Sequence, residues 1–501
     1  MEYKDSIGDK SWKNEILAEK SETIIDEDDD PMKDSAENTI EIDGQELINV
    51  IIRDLERVKQ DLTNQGKNYT LIDNLKQFRS LINHNKITIE LLNNNPSLIH
   101  LLSDVSAESE SVFNSKACMD TIWRIISSIP NSFDLLRENN VVSACIAKLS
   151  ENANECIIST LYVLHYLVEN DPSILDDLFE YVDPLSFITM LKSIEDLYAQ
   201  TPEDDPESAN LKRTHRLLLE AVAFFFTIVS DLINGENVGV FLQLIDYILN
   251  AGVTLGMAYS FYSLRHLILN NQLSMEDFQV FGLSRYINSA LKTKDKDICG
   301  QACFLICTLV EKGYQLSDIN VIDIMNYIKS ISDKRKETEA RECLALICEK
   351  GPPIIREQIG MSQDFNSIIT ESISRKDEFG GSAYIGDFAT ISLSGRSLIG
   401  IIECGSSELI STMLNDRTIL SLLTVLKLTD EEIITRCLKA LLAILDAAEK
   451  SGVKDNFVES FVEEEGEQAI NECYENFEDN DVICQLIDFI MEKIGFTKDE
   501  S

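Results

Sequence analysis

The sequence predicts an all-α protein, a solenoid of stacked helical hairpins. Apolar residues recur at helical spacing along nearly the whole chain. Ile419, Leu422, Leu423 and Leu426 form one stripe, and Ile433, Ile434, Cys437, Leu438, Leu441 and Leu445 form the next. Breakers are few, with 9 Pro and 21 Gly in 501 residues, and strand-like alternation is scarce. The paired stripes are too wide for one partner helix, so each hairpin needs neighbours on both sides, the property of a stacked repeat.

Residues 1–44 read as an acidic disordered arm. The run Asp26-Glu-Asp-Asp-Asp30, followed by Pro31, cannot offset ordering entropy by burial. Within the arm, Ser11 to Lys20 has the spacing of a short amphipathic helix and carries Trp12. The helical domain is predicted over 45–496, with a terminal capping repeat over about 456–496. Leu47, Val50, Ile51, Leu55 and Val58 mark its first stripe, and Leu71 to Asn83 the second. Ala117 to Ser128 is a long helix, and Val141 to Leu149 and Cys156 to Val168 follow it. Residues 199–210 read as an exposed polar loop. Leu217 to Ile233 is the longest apolar run, but it contains Glu220 and Asp231 and is too short for a bilayer, so it reads as a buried repeat helix. Gly380 to Gly386 is the least helical stretch, an insertion or a reshaped hairpin. Thr429 is the expected N-cap of the helix beyond it, with Glu432 completing a capping box. The hairpins recur at roughly 40-residue intervals, the period of armadillo repeats, which gives roughly nine to ten of them.

The formal net charge is −42. That argues against nucleic acid as a partner, because phosphate contacts need clustered Lys and Arg. An acidic surface suits solubility and basic partners. Met1 to Asp5 has no apolar core of the signal-peptide kind. Twelve Cys scattered through helical patterns fit a reducing compartment, so cytoplasm and nucleus are expected. Cys299, Cys303 and Cys307 share one helix face. Three thiolates could hold zinc with a fourth ligand, but a small buried Cys on a packed helix is the commoner role. The five His show no ligand spacing. No nucleophile elbow is present, and Gly395-Arg-Ser-Leu-Ile-Gly400 lacks the Lys of a phosphate-binding loop. The expectation is a non-enzyme with no cofactor and no metal.

Both ends of the helical region resemble importin-α. Leu422-Leu-Thr-Val-Leu426 with Ile433 to Leu445 is similar to that family's last full armadillo repeat. Val462-Glu-Glu-Glu-Gly466, Ile470-Asn-Glu, Glu475 to Ile483 and Leu486 to Ile494 resemble its capping repeat, and Gln77-Phe-Arg-Ser-Leu-Ile82 resembles its first. The resemblance implies an armadillo superhelix whose third helices line a groove for Lys/Arg-rich nuclear localisation segments. Trp and, four residues on, Asn would line that groove, with ring faces flanking lysine stems.

Here the ladder is mostly replaced. In one middle repeat the Trp and Asn positions fall on Tyr162 and Tyr166, in a later one near Glu342 and Leu346, and in the first near Thr121 and Ile125, with Trp123 displaced. Trp123, Tyr162 and Tyr166 are therefore the candidate peptide-binding residues, with core-edge packing as the plainer role for all three. The family also recruits importin-β through a basic arm and contacts an export receptor through its acidic C-terminal repeat. Lys4, Lys10, Lys13, Lys20 and Lys33 are scattered among acids, which argues against importin-β recruitment. Two functions stay open: an importin-α-like adaptor for basic localisation segments of cargo in nuclear import, or an armadillo scaffold without a transport role that assembles other proteins.

Overall fold

In the computed structural model the described residues are 43–150, 156–233, 237–293, 295–376, 382–384 and 387–495. The expected acidic arm, with Trp12, lies outside them apart from its last two residues. The contacts divide the chain into two compact units, 1–260 and 261–501.

The first unit opens with α1 (Gly44–Gln60) and α2 (Tyr69–Asn83). Three-helix groups follow: α3 (Ile89–Asn93), α4 (Pro96–Glu108) and α5 (Val112–Ser128); α6 (Phe133–Glu138), α7 (Val141–Leu149) and α8 (Cys156–Asn170); α9 (Ile174–Tyr181), α10 (Ser186–Gln200) and α11 (Pro206–Leu232). Then come α12 (Val238–Ala251) and α13 (Thr254–Leu269). The last, long helix of each group packs on its counterpart in the next, so α2, α5, α8 and α11 form a continuous row. The middle helices α1, α4 and α7 form a second row behind it. This is the arrangement that wide apolar stripes require, because each helix buries one side on its own group and one on a neighbour. Buried Arg79 on α2 ties two groups by donating to the Thr121 hydroxyl (3.2 Å) on α5. The run from Leu217 lies within α11, where Phe224, Phe225 and Phe226 are buried; Phe225 and Phe226 pack with Phe187, and Phe226 also with Phe241.

The second unit repeats the pattern. Its elements are α14 (Met275–Val280), α15 (Ser284–Thr293), α16 (Lys296–Glu311), α17 (Ile322–Ser330), α18 (Lys334–Lys350), α19 (Pro353–Gly360), a π-helical turn (Asn366–Thr370), α20 (Glu371–Ile373), α21 (Phe388–Cys404), α22 (Ser407–Thr412), α23 (Asp416–Val425), α24 (Glu431–Lys450), α25 (Lys454–Glu463), α26 (Gly466–Asn476) and α27 (Asp481–Ile494). The long helices α16, α18, α21, α24 and α27 pack in succession.

Two local expectations differ from the structure. Helix α10 runs to Gln200 and α11 starts at Pro206, so only 201–205 remain of the predicted loop. Asp205 accepts from Glu207 N–H and Pro206 sits at the first helical position, and both favour a helix start. The cap of α24 is Asp430, not Thr429. Its carboxylate takes both the Glu432 and Ile433 N–H groups, and its negative charge meets the positive end of the helix dipole. The Gly-rich stretch, expected to be the least helical, contains the strand β2 (Ser382–Tyr384), which pairs antiparallel with β1 (Ser374–Lys376), Arg375 opposite Ala383. Among the described residues β1 and β2 are the only strands, and every other regular element is helical.

Candidate peptide-binding face

Along the first unit's row of long helices, four rings form a column. Trp123 of α5 lies 5.2 Å from Tyr162 of α8, Tyr162 lies 5.2 Å from Phe224 of α11, and Phe224 lies 5.2 Å from Tyr259 of α13. His165 stacks on Phe224 at 4.0 Å, and its Nε2 lies 3.2 Å from the Thr227 hydroxyl. Each ring comes from a different helix, so the column locks the register of neighbouring groups.

The structure brings two of the three candidates together and buries both: Trp123 is 4 % exposed and Tyr162 1 %. Burial, reinforced by the Glu220 carboxylate, pushes the Tyr162 phenol well above its ordinary value, so it stays neutral. The Trp123 indole N–H has no hydrogen-bond partner among the described residues. Tyr166, one turn beyond Tyr162, is half-buried. It shares a stripe with Ser159, Tyr162 and Glu169 by helical spacing, and the Ser159 hydroxyl donates to Asp120 of α5. Tyr166 and the carboxylates of Asp120 and Glu169 are thus the reachable part of this face. The other aligned positions point elsewhere. Thr121 is buried against Arg79, Ile125 is in the core, and Leu346 is buried.

The second unit's row carries charge instead of rings. Glu349, at the end of α18, has a side chain only 7 % exposed. Arg396 of α21 grips it with two bonds, Nε to Oε1 at 3.0 Å and Nη2 to Oε2 at 2.5 Å. Arg436 of α24 reaches the same Oε1 at 2.6 Å and also clamps Glu403 of α21 at 3.0 and 2.8 Å. Burial of Glu349 opposes its charge, yet the hydrogen bonds from Arg396 and Arg436 outweigh that and hold its carboxyl below the ordinary value. The reach from α24 to α18 depends on Gly400 of α21. A Cβ there would sit 2.5 Å from the Cys348 carbonyl oxygen, so only glycine lets α21 lie this close to the end of α18. On α16, Cys299, Cys303 and Cys307 are all buried, and Cys343 of α18 hydrogen-bonds to the latter two. Among the described residues no group of His, Cys, Asp or Glu is arranged to hold a metal ion, and no helix is long and apolar enough to cross a membrane.

No family model matches the chain, and no curated protein matches it. Among solved structures, an engineered protein is similar over 90 % of this chain and 99 % of its own, with a TM-score of 0.55 at 12 % identity. The chain shares that protein's fold. A structure from work on a phosphorylation switch controlling the interaction between cadherin and beta-catenin aligns over 89 % of this chain and 96 % of its own, with a TM-score of 0.43 at 11 % identity, too low a score to carry an argument.

Proposed function

We propose that the chain is an armadillo-type, importin-α-like adaptor that binds a basic segment of a protein partner on the long-helix face of its first unit. The supporting observation is Tyr166, a half-buried ring one turn beyond the buried Tyr162, which shares a helical stripe with the exposed Glu169. A lysine stem can lie on that ring while its ammonium meets the Glu169 carboxylate. The chain's net charge of −42 draws such a segment in from a distance. Nuclear localisation segments of cargo are the expected class of ligand, with cytoplasm and nucleus as the places of action.

The test is fluorescence anisotropy of a labelled Lys/Arg-rich localisation peptide at low and physiological salt, with an acidic peptide of equal length as control. Tyr166→Ala should weaken binding about 5-fold, the size of one half-exposed cation–π contact. Equal binding of the acidic peptide, or indifference to Tyr166→Ala, would refute the reading. One observation favours a second reading, an armadillo scaffold with no transport role: Trp123 and Tyr162 are buried, which leaves a single ring for lysine stems where the importin-α pattern uses a ladder. Failure of localisation peptides to bind at physiological salt would select it.

A further inference from the structure

In the second unit, the carboxylates best placed to receive a basic segment on the long-helix face are already held by arginines of the same chain. Glu349 and Glu403 stand on neighbouring long helices. Arg396 and Arg436, 30 % and 22 % exposed, satisfy them with charge-assisted bonds, two of which are bidentate grips. Glu342, on the same helix as Glu349, adds to the field that holds the Arg396 charge. We infer that Arg396 and Arg436 are built-in occupants that mimic the basic side chains of a ligand. They close this face to basic segments and act as specificity-determining residues.

Three features carry the inference. The two arginine side chains stay partly exposed while the Glu349 carboxylate they hold is only 7 % exposed, so the cations lie between it and solvent-accessible surface. Both converge on a carboxylate that is itself nearly buried, so the acceptor is preorganised and desolvated, and it cannot be left without a cation. Gly400 lets α21 lie close to α18, which places three helices within reach of one Glu349. In the first unit, the exposed Glu169 shares a helical stripe with the half-buried Tyr166. The restriction of a basic segment to the first unit rests on the proposed function. The closure of the second unit does not.

The experiment is isothermal titration calorimetry of a Lys/Arg-rich peptide into the full chain and into Arg436→Gln. This variant frees Glu403 but leaves Glu349 one arginine, so its buried carboxylate keeps a partner. The variant is expected to bind the peptide at one more site than the wild type, with new hydrogen-exchange protection over 388–404 and 431–450. Arg436→Gln combined with Glu403→Gln should lose that added site. Unchanged stoichiometry in folded Arg436→Gln would overturn the inference. Arg396→Gln is a second route to the same carboxylates if Arg436→Gln does not fold. Failure of both variants to fold would also overturn it, since the arginines would then be structural clamps and not replaceable occupants. A wild type that binds no peptide counts against the proposed function alone, because the site gained by the variant is read independently.

Discussion

At the residue scale, Glu349 decides most. Its carboxyl is held below the ordinary value of 4.5 by two arginines that outweigh the effect of burial. A depressed carboxylate contributes stability that is fully present above its unfolded value and is lost as pH falls through its folded value. Glu349→Gln should therefore be clearly less stable than wild type at pH 7. The difference should shrink once the pH drops below 4.5, where the wild-type group also loses its charge on unfolding and then on the folded chain. Paired denaturant melts from pH 7 to pH 3 measure it, and a difference that stays constant with pH would show that the pairing carries no linked charge. None of this was legible in the sequence. The partners of the network lie 33, 47 and 87 residues apart, and no spacing rule connects them. The Trp123–Tyr162 contact was hidden for a related reason. An alignment of helix patterns placed the groove positions at Thr121 and Ile125, and a two-residue shift on a helix turns a side chain to another face.

At the element scale, four of the 86 acidic residues have a shared local use. The long helices of the second unit start at Asp295, Asp333, Asp387, Asp430 and Asn480, each accepting from the first backbone N–H groups. Backbone donors, Lys336 N–H first at Asp333 and Thr390 N–H first at Asp387, hold those two carboxyls below their ordinary value. A carboxylate at a helix N-terminus also meets the positive end of the helix dipole. Asp430→Ala should cost about 1 kcal/mol, while Asp430→Asn should cost a few tenths, as urea melts would show. Equal losses for the two would mean that the charge rather than the cap bond matters. Helix existence was readable because the apolar stripes are long and strongly periodic. The ends were not, because Thr429 and Asp430 are both good caps one residue apart, and the polar run 199–210 hid the Asp205-Pro206 start of α11. The hairpin of β1 and β2 interrupts the helical pattern where glycines remove the periodicity.

At the scale of the whole molecule, 86 acidic residues face 44 basic ones. Even if every Lys and Arg were paired, 42 negative charges would remain to repel one another. Compact folding brings those charges closer than the unfolded chain does, so the repulsion opposes the folded state. Salt screens repulsion and attraction alike, and the outcome depends on which dominates. Most ion pairs here are partly exposed and of the kind that contributes about 0–1 kcal/mol each, whereas the excess charge acts over the whole surface. Raising ionic strength from about 10 mM to about 100 mM shortens the screening length from about 30 Å to about 10 Å. The melting temperature at pH 7 should therefore rise by a few degrees over that range, by calorimetry or circular dichroism. Binding of a basic segment should respond in the opposite sense, because the same field that destabilises the fold attracts the ligand. A melting temperature that falls with salt would mean that the paired arginines, and not the unpaired acids, set the electrostatic balance of this chain.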